Sequence, residues 1–128
     1  MNTNINNYSV KVVDSSRELT ARERLRLKDT GNAVKLDEAC DGAPFTISPV
    51  GYAILAIHND KSDNPDYNNY VVEDSSGNKY VTGSESFWKS FKDIWDEMQD
   101  SGEPFDIEIY KLDSNNYKGK QFITCSIL

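Results

Sequence analysis

The clearest periodic pattern along the chain lies between positions 85 and 99. Apolar residues recur there with the roughly 3.6-residue period of an α-helix, which predicts one prominent helix that buries one face. These residues are Phe87, Phe91, Ile94, Trp95 and Met98. Ser84 is suited to cap the first turn, and Gly102 to end the last one. Trp88 flanks the apolar face and could lie in the core or at its edge.

Short apolar or alternating runs elsewhere in the chain predict β-strands. The segments are 10–13, 45–57, 70–73, 79–82, 105–112 and 120–128. From position 52 to 57 even and odd positions are both apolar, so this strand is expected to be covered on both faces. Thr20 and Glu23 form a capping-box pattern, which predicts a short helix over 21–28.

Helices do not alternate with these strands, so a doubly wound parallel sheet is not expected. We predict a mainly β fold with one prominent helix, arranged as an OB-like, partly open antiparallel barrel. This single OB-like domain spans residues 10–128 and follows a flexible, asparagine-rich N-terminal arm over residues 1–9. An α+β sandwich, with the helix packed on a sheet, is the alternative.

Composition narrows the class of protein. The chain has 128 residues, of which 38% are hydrophobic and 27% charged, as expected of one soluble domain. It contains no apolar run of the roughly 20 residues that span a bilayer, and no secretory-signal pattern. Cys40 and Cys125 lie far apart, so we interpret them as reduced thiols of a cytosolic protein.

The sequence lacks the common catalytic and metal-binding motifs. His58 is the only histidine, and there is neither a CxxC pair for a structural zinc nor a Walker-type phosphate loop. The acids between 93 and 103 do not have the spacing of a calcium loop. We therefore expect a protein that is not an enzyme and has no catalytic residue, bound metal or cofactor.

The net charge is −7, but the charges are distributed unevenly. Residues 1–36 carry seven basic and four acidic side chains, residues 37–108 carry four and sixteen, and residues 109–128 carry three and one. Because screening limits the range of each local potential, the basic ends can attract a polyanion although the whole chain is acidic. A solvated helix with mixed charges is the simpler interpretation of the arginine-rich segment 21–28.

Lysine and tyrosine are adjacent in three places, at positions 79–80, 110–111 and 117–118. Sequence-tolerant single-strand binding uses this combination, because bases stack on aromatic rings while lysines neutralise phosphates. The other interpretation is that the tyrosines cover the outer face of a sheet. In a regular strand Tyr110 and Lys111 point to opposite faces, so they cannot both reach one ligand from there.

Several motifs carry a resemblance to a known family. They are VVED…GNKY at 71–80, SESFW at 84–88, NYKGKQF at 116–122 and ERLRLKD at 23–29. Over residues 20–36 and 67–128 the chain resembles small single-stranded DNA-binding proteins of tailed bacteriophages. The resemblance implies an OB-like barrel without a cofactor, which coats DNA strands exposed in phage replication or recombination in the cytoplasm of the host cell.

The candidate nucleic-acid contacts combine positions that match this family with the arginine-rich segment, and we expect them to line one groove. They are Arg22, Arg24, Arg26, Lys28, Lys79, Tyr80, Tyr110, Lys111, Tyr117, Lys118 and Lys120. Bacterial single-strand binding proteins recruit partners through a disordered acidic tail, whereas this chain ends in the apolar TCSIL. Recruitment of phage or host replication proteins is therefore expected from the acidic region 37–108.

Two other functions stay open at this point. The chain could be a small acidic counter-defence inhibitor of a phage, which presents region 37–108 to a basic cleft of a host protein. It could also be a subunit of a larger assembly or a homo-oligomer, because an apolar terminal strand can pair with another chain. We expect no membrane partner in any of these cases.

Overall fold

The computed structural model describes residues 7–116 and 118–128. This part of the chain forms eight strands and three helices. In order they are β1 (Tyr8–Ser15), α1 (Ala21–Lys28), β2 (Val34–Lys35), α2 (Leu36–Ala39), β3 (Phe45–Ile47), β4 (Pro49–Asn59), β5 (Asp66–Asp74), β6 (Lys79–Thr82), α3 (Glu85–Ser101), β7 (Ile107–Asp113) and β8 (Gln121–Ile127). Both predicted helices are confirmed. Within the described ranges, no helix is long and apolar enough to cross a membrane.

The strands form two sheets. Sheet A has five strands in the order β1-β4-β5-β6-β2, antiparallel except for the β2–β6 pair. Sheet B has three antiparallel strands in the order β3-β7-β8. The predicted mainly β fold with one prominent helix is therefore confirmed. Over the described residues the sheets do not close into a barrel, so the OB-like arrangement is not confirmed.

The centre of sheet A is buried on both faces, as the two-residue period of β4 and β5 requires. Tyr52 and Val72 point into a first core, which sheet A shares with sheet B and α3. Ala53, Leu55 and Val71 point into a second core, which lies under α1. The prediction that this central strand is covered on both sides is confirmed.

Helix α3 provides the largest side chains of the first core. Phe87 and Phe91 are fully buried and Trp95 is nearly so, as their spacing predicts. Trp88, whose position the sequence left open, lies at the edge of this core. It stacks on Tyr70 with the ring centroids 4.8 Å apart, so Tyr70 is buried against α3 and does not face solvent.

Helix α1 contributes one buried side chain, Leu27, to the second core. Its N-terminus has the predicted capping box. The Glu23 N–H donates to the Thr20 hydroxyl oxygen, and the Thr20 N–H donates to the Glu23 carboxylate. At its C-terminal end the Lys79 ammonium donates to two backbone carbonyls, at 2.6 and 2.8 Å. These bonds satisfy carbonyls that an isolated helix leaves unpaired, and they fasten α1 to β6.

Several predicted boundaries are wrong, and strand β5, predicted over 70–73, already begins at Asp66. The segment 45–57, predicted as one strand, forms two strands in different sheets, because the chain leaves sheet B before Ser48 and enters sheet A at Pro49. Proline has no N–H to donate, so it suits the first position of a strand. Strand β1 begins at Tyr8, so the end of the predicted arm belongs to sheet A, while positions 1–6 lie outside the described residues.

Both cysteines are free thiols in the first core. Burial raises the pKa of Cys125 to about 12 and also raises the pKa of Cys40. The thiolate is the reactive form of cysteine, so neither side chain is an effective nucleophile at neutral pH.

One buried carboxylate organises the turn between β5 and β6. Asp74 Oδ1 accepts hydrogen bonds from the backbone N–H groups of Ser76 and Asn78, at 3.0 and 2.9 Å. Its Oδ2 accepts a third, at 2.6 Å, from the hydroxyl of Tyr80. Burial by itself raises the pKa of Asp74, but these bonds to the ionised form outweigh burial and hold that pKa below its ordinary value.

We expect Tyr80→Phe to lower the free energy of unfolding by about 1.5–3 kcal/mol at neutral pH, since it removes a hydrogen bond to a charged group. Urea unfolding followed by tryptophan fluorescence measures this loss, and Tyr8→Phe, at an exposed ring, is the control. Because the pKa of Asp74 is lowered by folding, its stabilisation is present above the unfolded-state pKa of about 3.9 and is lost as the pH falls through the folded-state value. An effect of equal size at pH 7 and pH 2 contradicts this assignment.

Candidate nucleic-acid interface

The structure places the predicted contacts on two opposite sides of sheet A. The contacts on the α1 side are Arg22, Arg24, Arg26, Lys28 and Lys79. Those on β7 or on its connection to β8 are Tyr110, Lys111, Lys118 and Lys120. Tyr80 lies in the first core, and Tyr117 lies outside the described residues. The expectation of one common groove is wrong, because sheet A separates the two groups.

The two predicted contacts on β6 have structural partners. Tyr80 is only 4% exposed, its ring packs edge-on against Phe45, and its hydroxyl is bound to Asp74. Since Tyr80 faces the first core in the two-residue period of β6, the prediction that it stacks on a base is wrong. Lys79 faces the other way, but its ammonium is bound to the carbonyls at the end of α1.

The hairpin of β7 and β8 carries an exposed apolar face. Leu112 pairs with Phe122 and Tyr110 pairs with Thr124, so Tyr110, Leu112 and Phe122 lie on the same side. Leu112 is 45% exposed and Phe122 is 39% exposed. The hydroxyls of Tyr110 and Ser126 are 2.6 Å apart, which orients the half-buried tyrosine ring on this face.

Two exposed lysines, Lys118 and Lys120, lie in the connection at the end of this hairpin. Gly119 between them has φ +80°, which residues with a Cβ rarely adopt, so the turn depends on glycine. The Ser114 N–H donates to the Lys120 carbonyl over 2.9 Å and closes the connection. We refer to these two lysines, the exposed Leu112 and Phe122 and the half-buried Tyr110 as the hairpin surface: Tyr110, Leu112, Lys118, Lys120 and Phe122.

Lys111 does not belong to the hairpin surface. It follows Tyr110 in a regular strand and points to the opposite side, where its ammonium lies 3.2 Å from the Asp41 carboxylate. The prediction that Tyr110 and Lys111 face different sides is confirmed. Lys111 is therefore paired with a carboxylate beside the first core, away from the exposed rings.

Phe122 belongs to this surface but is not among the contacts predicted from the sequence. The alternation over 120–128 places Phe122 on the same face of the strand as Thr124 and Ser126, and Ile123 and Cys125 on the other face. Which of the two faces is exposed depends on the pairing of β8 with β7 and on the position of α3. Neither can be read from the segment itself.

A shallow cavity of about 430 Å³ lies between helix α1 and the edge strand β1. It is lined by three cationic and three apolar residues: Lys11, Arg24, Lys28, Val12, Ala21 and Leu25. Leu25 is 64% exposed. Arg26 lies on another side of the helix and lines a different cavity, together with Arg17, Glu23 and Glu73. Lys11 lies between Val10 and Val12, which pack on the second core, and it pairs with Ala56, so its side chain starts from the opposite face of sheet A. We refer to Arg24, Leu25 and Lys28 as the α1 surface.

His58 lies between two carboxylates near the β4–β5 turn. Its Nδ1 is 2.7 Å from Asp66 and its Nε2 is 2.6 Å from Asp60. Only the imidazolium ion donates from both nitrogens, and the hydrogen bonds with Asp66 and then Asp60 raise the pKa of His58. Among the residues that the structure describes, no group of three or more His, Cys, Asp or Glu side chains is placed to hold a metal ion.

Comparison with protein-family models, curated proteins and solved structures finds no match to this chain. Function is therefore inferred from the geometry of its own surfaces. The resemblance to phage single-stranded DNA-binding proteins stays a prediction.

We expect His58 to titrate above pH 6.5 in the folded protein, because both carboxylates favour its charged form. The stabilisation is then fully present below the unfolded-state pKa and is lost as the pH rises through the folded-state value. An NMR titration of the His58 ring protons measures the pKa, and Asp66→Asn should lower it. A folded-state pKa at or below 6.5 in the unmodified protein contradicts this prediction.

Proposed function

We propose that this protein binds single-stranded DNA without sequence preference through the hairpin surface. The proposal depends on one observation. Tyr110 and Phe122 lie beside Leu112 on an exposed sheet face whose hairpin ends in Lys118 and Lys120. Rings for bases and ammonium groups for phosphates are the two elements of sequence-tolerant single-strand binding.

The rings are arranged to contact different bases. Tyr110 and Phe122 are diagonal neighbours on adjacent strands, a relation in which residues lie about 7–8 Å apart. The hydrogen bond between Tyr110 and Ser126 orients one ring before DNA binds, which reduces the entropy lost on association. Each stacked base contributes about 1–3 kcal/mol.

The charge near the hairpin differs from the charge of the whole chain. Lys118 and Lys120 are exposed, while the neighbouring Asp113 accepts a hydrogen bond from the Gln121 amide at 3.1 Å. Glu108 is on the same face but two positions beyond Tyr110, away from the lysines. Acids farther away than a Debye length of about 8–10 Å are largely screened. We therefore expect the DNA to cross the half of the hairpin that contains the turn.

In this proposal the protein coats DNA strands that are exposed during phage replication or recombination. OB-fold barrels perform this task by presenting aromatic and basic side chains on a sheet face. The outer face of sheet B offers the same groups without a closed barrel. The acidic side chains of α3 belong to a different element, so they stay available for replication proteins.

One feature favours the alternative function, an acidic inhibitor that binds a basic host protein. Helix α3 exposes Asp93, Asp96, Glu97 and Asp100, and its last turn contains no basic residue. Carboxylates near a helix C-terminus face the negative end of the helix dipole, where they are destabilising. A cationic partner bound to this face would offset that cost.

The double variant Lys118→Glu/Lys120→Glu tests the proposal. We expect its affinity for a labelled 30-nucleotide oligo(dT) to fall at least about tenfold, and the slope of log K against log salt to decrease by about 0.7 for each lost phosphate contact. Fluorescence anisotropy measures both. Lys61→Glu/Lys89→Glu makes the same change of charge at two exposed lysines on other elements and is the control.

Equal losses in the two double variants contradict the hairpin surface as the contact. If the unmodified protein does not bind the oligonucleotide at low salt and micromolar concentration, the proposed function is wrong. The variant Asp93→Asn/Glu97→Gln/Asp100→Asn then tests the alternative function. An acidic inhibitor should lose its inhibitory activity in this variant and keep it in Lys118→Glu/Lys120→Glu.

We also expect Phe122→Ala to weaken oligo(dT) binding by about 5- to 150-fold, which corresponds to the loss of one stacked base. Tyr110→Ala should have a similar effect, and binding should quench the tyrosine fluorescence of the unmodified protein. Val50→Ala removes an exposed apolar side chain from sheet A and is the control. If Phe122→Ala binds as the control does, with an unchanged melting temperature, the stacking role is excluded.

A further inference from the structure

We infer that the α1 surface binds a second segment of single-stranded DNA, so that one molecule holds two strands and promotes their annealing. This inference rests on the proposed function of the hairpin surface. It adds a second site, on the opposite side of sheet A, and an activity that one site alone does not provide.

The α1 surface has the chemistry that a nucleic acid strand requires. Arg24 and Lys28 provide the cations of α1 in the cavity between α1 and β1, and no carboxylate is among its described lining residues. The exposed Leu25 adds an apolar contact for a base or sugar. The acid of the same helix, Glu23, is already bound to Arg17 and to the Thr20 N–H, so it does not neutralise these cations.

The two surfaces are electrostatically independent. Helix α1 lies on one face of sheet A, and sheet B lies on the other. Packed layers are about 10 Å apart, so the two surfaces are separated by roughly twice the Debye length of about 8–10 Å at physiological salt. Occupation of one surface by a polyanion therefore repels a polyanion at the other surface only weakly.

Two strands are favoured over one strand that wraps around the molecule. Wrapping requires a basic path between the surfaces, and the middle region, residues 37–108, carries four lysines against sixteen acids. Of those lysines, Lys79 is bound to the carbonyls of α1 and Lys92 forms an ion pair with Asp96 at 2.6 Å. A strand that leaves one surface therefore meets mainly acidic side chains.

Two strands held on one molecule have a high effective concentration with respect to each other. The bases in contact with the protein are occupied, so pairing begins in the parts of each strand that extend beyond the contact. Saturating protein places separate molecules on the two strands and removes this advantage. We therefore expect annealing to be fastest at a substoichiometric ratio of protein to DNA.

The experiment follows annealing of two complementary 50-nucleotide strands that carry a donor and an acceptor fluorophore. We expect the unmodified protein to accelerate annealing about tenfold or more over DNA alone. Arg24→Glu/Lys28→Glu should lose this acceleration and still bind oligo(dT) through the hairpin surface. Lys28→Glu alone is a second variant of the same surface that keeps the Arg24 hydrogen bond to the Leu19 carbonyl. Lys61→Glu/Lys89→Glu is the charge-matched control and should anneal normally.

Each other outcome overturns the inference in a recognisable way. If the unmodified protein binds oligo(dT) but does not accelerate annealing, or if both α1-surface variants anneal as the control does, the second site is wrong and the proposed function stands. If one strand labelled at both ends shows its ends drawn together by a single protein, and the α1-surface variants abolish this, the strand wraps and the two-strand arrangement is wrong. If the unmodified protein binds no oligo(dT), the proposed function fails and this inference fails with it.

Discussion

The centre of sheet A, formed by β4 and β5, buries side chains on both faces, and the positions of the other elements follow from this constraint. Strands β4 and β5 carry apolar side chains at consecutive positions, so each face presents a row of them. Burial of such rows is the main favourable term in folding. Sheet B and α3 cover one face and form the larger core, while α1 covers the other. The molecule therefore has helical material on both sides of one central sheet.

Helix α1 buries little apolar surface against sheet A, and polar contacts hold it in place. A helix of eight residues is not stable by itself in water, and α1 buries a single leucine. It is held by its capping box, by the Lys79 ammonium at its C-terminal end, and by Arg17, which bridges Glu23 and Glu73 at 3.2 and 2.8 Å. Lys79 thus has a structural role that its sequence neighbourhood does not show. A basic side chain beside an aromatic one is compatible with DNA binding and equally with the fastening of a short helix.

The sequence predicted those features that depend on local periodicity. The 3.6-residue spacing of Phe87, Phe91 and Trp95 defines α3, and the capping box defines α1, because both patterns reflect interactions within one segment. Features that depend on which strands pair could not be predicted. The break at Ser48 between two sheets and the inward direction of Tyr80 are determined by contacts with distant segments. The exposure of Phe122 also depends on distant segments. The alternation in the sequence shows which residues of β8 share a face with Phe122, but the positions of β7 and α3 determine that this face is exposed.

Segments of the chain that differ in charge form different surfaces of the folded molecule. The basic N-terminal segment forms the edge strand β1 of sheet A and helix α1 on one face of that sheet, and the basic C-terminal segment forms the end of the β7–β8 hairpin on the other side. The acidic middle region supplies the strands and connections between them, together with α3. A net charge of −7 therefore describes no single surface of the molecule. Because screening limits the range of each local potential, a cationic surface can attract a polyanion although the molecule as a whole is acidic.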